Sequence, residues 1–249
     1  MFALPKSEQT YKFILSRCVG DDRIWSAPSD DGETSMLIVS FVGQKGGVGK
    51  SALARVLAVA AARQSKNVLI ADFDLEQLSC VEWGAARLRL GQFPEVEARA
   101  FKSLKKLRKT VEGFDLVVVD TRGLADELTD DVSKESDIVF LPTGTSMDDL
   151  RPTLALARKI ARKTKPEKIV LILSKVGRSE RQLEEARAHI ENAGFLLLKA
   201  VWPQRDGFQA EFDSGRAGSE VSNPHLRQSA EAIEKAMLSH LFQFKALEI

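Results

Sequence analysis

The chain has 249 residues, 44% of them hydrophobic and 29% charged, with 36 lysines and arginines against 35 aspartates and glutamates. That length and apolar fraction fit one α/β domain with a large core, while the net charge of +1 excludes a global field that drives the chain onto nucleic acid, so any such binding comes from local clustering. Cys18 and Cys80 lack metal-ligand spacing and fit a reduced, cytosolic protein; no apolar run approaches the roughly 18 residues of a spanning helix, and Lys6, Glu8 and Lys12 interrupt any signal-peptide layout.

In chain order, residues 1–35 read as an N-terminal extension too short for an independent domain. It holds a short element at Tyr11-Lys12-Phe13-Ile14-Leu15 and a loop from Ser26 to Gly32. From residue 36 to the end of the chain at 249, a single domain is expected. Strands are predicted at 36–42, 67–73, 115–120, 137–142, 168–173 and 195–201. Helices are predicted near 50–65, 77–91, 102–112, 124–135, 147–164, 179–193 and 223–243. Leu116-Val117-Val118-Val119 and Ile169-Val170-Leu171-Ile172-Leu173 are near-continuous apolar runs, as in a sheet buried on both faces. The alternation predicts an α/β fold: a doubly wound, mostly parallel sheet with helices on both faces and right-handed crossovers. Such sheets bind ligands at the carboxyl ends of their strands.

Between the first strand and the first helix lies Gln44-Lys45-Gly46-Gly47-Val48-Gly49-Lys50-Ser51, followed by Ala52. Strand, glycine-rich turn and helix is the setting of a phosphate-binding loop. Gly46, Gly47 and Gly49 allow successive N–H groups to face one anion, and the helix adds the positive end of its dipole. Lys50 is placed for the β/γ-phosphates and the Ser51 hydroxyl for Mg²⁺. Gln44 breaks the strict G-x-x-x-x-G-K-[ST] pattern, but K-G-G-x-G-K-[ST] is complete, with a second lysine, Lys45, inside the loop.

That signature resembles the deviant Walker A loop of ParA/MinD P-loop ATPases, and Gln44 is more similar to the ParA branch. The resemblance covers roughly residues 36–242. It implies ATP and Mg²⁺ as ligands and an ATP-dependent sandwich homodimer in which Lys45 reaches the partner's phosphates. At the end of the second strand, Ile70-Ala71-Asp72-Phe73-Asp74 places acids beside the loop. Asp74 aligns with the water-positioning residue of the family's first switch, whereas Asp72 is also readable as a cap for the next helix. The chain departs from D-x-D-P-Q, reading Asp74-Leu75-Glu76-Gln77. The third long strand ends Val119-Asp120-Thr121-Arg122-Gly123, a Walker B arrangement in which Asp120 holds Mg²⁺ through water, with Arg122 where the family has proline. Ser51, Asp74 and Asp120 form the expected metal set. Ser174 stands where many relatives carry a base-contacting Asn, and the loop around Pro203 is expected near the adenine.

Basic residues cluster at Arg151, Arg158, Lys159, Arg162, Lys163, Lys165 and Lys168, with 151, 158, 162 and 165 on one helical face, and again at Lys102, Lys105, Lys106, Arg108 and Lys109. Either cluster suits phosphate contacts without sequence reading, and ParA-type proteins bind DNA non-specifically as ATP dimers. The resemblance further implies a ParB-like centromere-binding or cargo-adaptor partner and a cytoplasmic, nucleoid-associated location. Ile233, Met237, Leu241 and Phe244 make an apolar stripe that fits packing on the sheet better than membrane attachment. His189, His225 and His240 have no ligand spacing. Two alternatives share the loop: a MinD-like membrane-cycling ATPase, and a metabolic or metal-transfer ATPase. The absence of paired cysteine ligands disfavours the latter.

Overall fold

The computed structural model describes residues 36–123 and 126–247. The expected extension, 1–35, lies outside them. The described residues form a parallel sheet of β1 (Leu37–Phe41), β2 (Val68–Asp72), β3 (Glu97–Ala100), β4 (Leu116–Asp120), β5 (Ile138–Thr143), β6 (Ile169–Leu173) and β7 (Leu196–Leu197), in the order β3-β2-β4-β1-β5-β6-β7. The helices are α1 (Lys50–Arg63), α2 (Ser79–Arg89), α3 (Leu104–Arg108), α4 (Glu127–Glu135), α5 (Met147–Ala161), α6 (Glu180–Asn192), α7 (Gly207–Asp213) and α8 (Pro224–Leu247).

Strand side chains alternate between two cores. Val39, Phe41, Ile70, Val118, Phe140 and Ile172 meet α1, α2, α7 and α8 on one face. Leu69, Val117, Val119, Leu141 and Leu171 meet α3 to α6 on the other. Burial on both faces explains why the central strands read as unbroken apolar runs. Register then aligns the functional ends: Phe41 pairs with Asp120, and Asp72 also pairs with Asp120. The phosphate-loop candidate and both strand-end aspartates therefore leave the sheet at one level.

Four differences from the expected elements stand out. Glu97-Ala98-Arg99-Ala100 is a strand that the sequence did not announce, because it is an exposed edge without β-branched or aromatic residues. The expected helix 102–112 shrinks to Leu104–Arg108, and the expected strand 195–201 to Leu196–Leu197. Helix α7 was not expected; Phe208, tilted against Trp202, and Phe212, stacked on it, place it in the core. The C-terminal stripe behaves as expected: Ile233, Met237 and Leu241 are buried against the α1 side of the sheet, and Phe244 packs beside them. No helix among the described residues is long and apolar enough to cross a membrane.

Candidate functional site

The turn from β1 into α1 has the geometry of an anion cradle. Gly47 has φ +72° and Gly49, the N-cap of α1, has φ +95°, both left-handed. No side chain caps α1 and no acid lies in its first turn, so its first N–H groups and its dipole face outward without competition. Val48 is buried and anchors the loop, while Gln44 to Gly47 are exposed. Ala52, half-buried, packs on the core behind. The Lys50 ammonium arches back to within 3.3 Å of the Lys45 carbonyl oxygen. Burial lowers the Lys50 pKa, and the nearby charges of Asp120 and Asp74 oppose that shift.

Asp120 sits at the floor. Burial pushes its pKa up to about 6, opposed by the neighbouring Ser51 hydroxyl. The Cys80 thiol donates to its Oδ2 at 3.2 Å, and its Oδ1 has no partner. A buried carboxylate oxygen left without a donor, next to a hydroxyl, is a hard-oxygen setting that fits Mg²⁺. Ser51 and Asp120 would hold the ion, which when bound supplies charge neutralisation at the phosphates.

The two acids of β2 divide their work. Asp72 is fully buried and accepts from Asp74 N (3.0 Å), Cys80 N (2.9 Å) and Val81 N (3.4 Å). It caps α2 from the strand, as its alternative reading proposed. Asp74 is half-buried, and its Oδ1 accepts from Gln77 N at 3.1 Å in the turn that ends at left-handed Leu78. It lies close enough for its charge to act on Lys50, without a hydrogen bond to Ser51 or Asp120 among the described contacts.

Lys45 points away from its own loop. Its Nζ meets Asp149 Oδ1 at 3.0 Å, and Asp149 Oδ2 accepts from Ser146, the N-cap of α5. Asp149 lines a cleft of about 320 Å³ together with Gly46–Val48, the Gly144–Ser146 turn, Lys175 and Gln204. Ser146, Asp149, Lys175 and Gln204 were not singled out from the sequence, although Ser146-x-x-Asp149 before an apolar run is a readable capping pattern. Lys175 takes φ +53°, and its Nζ approaches Gly47. Ser174 is fully buried beneath Gly49, its hydroxyl unpartnered. Pro203 pairs with Val176, and Gln204 N donates to Val176 O, which ties the expected adenine-side loop to the Lys175 turn.

Residues 39–216 match the family described as the CobQ/CobB/MinD/ParA nucleotide binding domain. The chain belongs to that family. The virC1 protein of Rhizobium rhizogenes is 25% identical over 215 residues, covering 80% of this chain and 90% of that protein. The virC1 protein of Rhizobium radiobacter is 28% identical over 131 residues, 50% of this chain and 56% of that protein. Among solved structures, the septum site-determining protein MinD of Pyrococcus horikoshii with Mg-ADP aligns with TM-score 0.66 and 19% identity, over 82% of this chain and 96% of that one. A plasmid partition protein of Borrelia burgdorferi bound to AMPPNP, described as putative in its own name, aligns with TM-score 0.61 and 16% identity, over 82% and 99%. These likenesses establish the P-loop NTPase fold.

The basic cluster beyond β5 is only partly helical. Arg151 and Arg158 lie on α5, Arg162 is its C-cap, and Lys165 follows it, so the single helical face expected for all four ends at Arg162. All four are exposed. Lys159 and Lys163 instead pair with Asp130 at 3.0 and 2.6 Å, and Lys168 donates to Ser136 O. Those three lysines serve the fold, and they leave an exposed arginine and lysine strip. In the second cluster Arg108 is held by Glu135.

Proposed function

We propose that this chain is a ParA-like, Mg²⁺-dependent ATPase that forms an ATP-sandwich homodimer, binds DNA non-specifically and positions a cargo with a partner protein. The observation that carries the reading is Lys45. Lys50 already lies folded over the loop for the chain's own phosphates. Lys45 is exposed and turned onto the half-buried carboxylate of Asp149. A second loop lysine turned away from its own phosphate cradle is of use to a second subunit, because another nucleotide site would bring phosphates to it.

In the proposed cycle, ATP seats in the loop from Gly46 to Ala52 with Mg²⁺ at Ser51 and Asp120, and the Pro203 loop borders the base. Lys45 exchanges Asp149 for the partner's phosphates and closes the dimer. Asp74, freed from its turn with Gln77, orients the attacking water. The dimer lays Arg151, Arg158, Arg162 and Lys165 on DNA phosphates, and a ParB-like or cargo-adaptor protein stimulates hydrolysis and release. The family membership and the partition protein among the structural neighbours support this choice, which implies a cytoplasmic, nucleoid-associated protein. The MinD-like membrane-cycling reading is weaker, because the C-terminal apolar stripe is spent inside the fold.

The direct test of the chemistry is Asp74→Ala. We expect ATP affinity within about threefold of wild type and turnover lower by roughly 10²-fold or more, as for loss of a group used only in the transition state. Normal turnover would reject the water-orienting role.

A further inference from the structure

Beyond Asp120 the chain turns through Thr121, Arg122 and Gly123; one neighbour of Arg122 is fixed to β1 and the other lies against the phosphate loop. The buried Thr121 hydroxyl donates to Phe41 O at 3.0 Å, on the strand that feeds the loop. Gly123 lies flat on the loop itself: a Cβ there would come within 2.6 Å of Gly46 N and 2.8 Å of the Lys45 carbonyl carbon. The Arg122 backbone is therefore pinned beside the cradle while its side chain, 44% exposed, is free to move. Its Nε and Nη2 both reach one oxygen, Asp126 Oδ2, at 3.0 and 2.5 Å. Asp74 and Glu76 on the adjacent turn add to the negative field around it.

This is a holding contact. Asp126 already spends its Oδ1 on Thr129 N as the N-cap of α4. The guanidinium converges on one oxygen instead of forking across two, and exposed pairs of this kind are weak. A terminal phosphate offers several oxygens and more charge than one carboxylate. We propose that Arg122 is a built-in phosphate-contacting arginine, which leaves Asp126 for the γ-phosphate oxygens as negative charge builds on them in the transition state of hydrolysis.

The inference rests on the ATPase reading and adds a residue to it. In hydrolysis the water oxygen bonds to the γ-phosphorus, and the bond from that phosphorus to the β–γ bridging oxygen breaks. The electron pair leaves on the nucleoside diphosphate, and the water proton goes to the released phosphate. Negative charge spreads over the γ-oxygens on the way. A guanidinium with donors to spare, anchored two residues past Asp120 and beside Asp74, offsets that charge where the water is oriented.

The test uses the full chain with Arg122→Ala and Arg122→Lys. Nucleotide affinity is measured twice, with a non-hydrolysable ATP analogue and with ADP plus aluminium fluoride, alongside turnover. Because Arg122 is exposed, both variants should melt with wild type. For Arg122→Ala we expect analogue affinity within about threefold of wild type, while ADP–aluminium fluoride affinity and turnover each fall on the order of 10²-fold. Arg122→Lys, a point charge without the fork, should recover part of both. Wild-type aluminium fluoride affinity and turnover in Arg122→Ala would overturn the inference and leave the ATPase reading standing. A wild-type chain that neither binds nor hydrolyses ATP would refute that reading, and the inference with it.

Discussion

Gly49→Ala tests whether the loop geometry sets nucleotide affinity, and the structure gives its size. Gly49 sits at φ +95°, where an L-residue costs about 1–2 kcal/mol. An added Cβ would also fall 2.6 Å from Ser174 Oγ, and Ser174, fully buried, has nowhere to swing. Overpacking of that kind costs about 1–3 kcal/mol. The loop tip is exposed, so it relieves the strain by shifting. The cost should then appear as a lost cradle, with little loss of fold stability. A total of about 2–5 kcal/mol corresponds to ATP affinity weaker by roughly 30-fold to several thousand-fold. Ser174→Ala removes only the clashing, unpartnered hydroxyl and should be near neutral alone. In the double variant the backbone cost remains, so about 5- to 30-fold of the loss should persist. Calorimetric titration of a non-hydrolysable ATP analogue with Mg²⁺ into the four proteins closes the cycle. Unchanged affinity in Gly49→Ala, or full recovery in the double variant, would mean that the left-handed Gly49 does not set nucleotide affinity.

His240 lies half-buried on α8 with its Nε2 shielded and unpartnered and its ring 6.2 Å from Phe140, and burial pushes its pKa from 6.5 to about 4. The unfolded chain then takes up this proton between about pH 6.5 and 4 while the fold refuses it, so stability falls as pH falls through that window. By pH 5 the loss is about 2 kcal/mol. In urea unfolding from pH 7.5 to 5, wild type should lose about 2 kcal/mol more stability than His240→Phe, the titration of Asp120 being common to both and cancelling in the difference; equal slopes would contradict it. Arg158→Glu with Arg162→Glu should abolish ATP-dependent binding to a random-sequence duplex and leave turnover without DNA intact, read by anisotropy at two salt concentrations. Binding with an unchanged salt slope would move the DNA face elsewhere.

The parts of this fold that were legible in the sequence are those under local rule. The loop needs glycines at fixed offsets, and Asp120 closes an apolar run that only a doubly covered strand explains. What the sequence hid depends on contacts remote in the chain. Arg87 reads as a surface residue of α2, yet it is 1% exposed and binds Glu220 bidentately together with the carbonyls of Pro94 and Gly215. With the Trp83 indole donating to Arg216 O, it locks residues 215–220 onto α2 and so fixes the wall behind Asp72 and Cys80. No spacing announces a partner 133 residues away. Asp149 escaped notice for the same reason: only the fold brings it across to Lys45, 104 residues earlier. The basic cluster was legible as charge alone, since Asp130, on a neighbouring helix, decides which lysines are spent.

If Lys45 acts on a second subunit, its loss must show in the oligomeric state. Sedimentation of wild type and Lys45→Ala, each with Mg²⁺ and a non-hydrolysable ATP analogue, should give a species at twice the 27.5 kDa chain mass for wild type and the monomer for the variant, with analogue binding retained by both. A nucleotide-dependent dimer that survives Lys45→Ala, or a wild type that stays monomeric with analogue bound, would contradict the account.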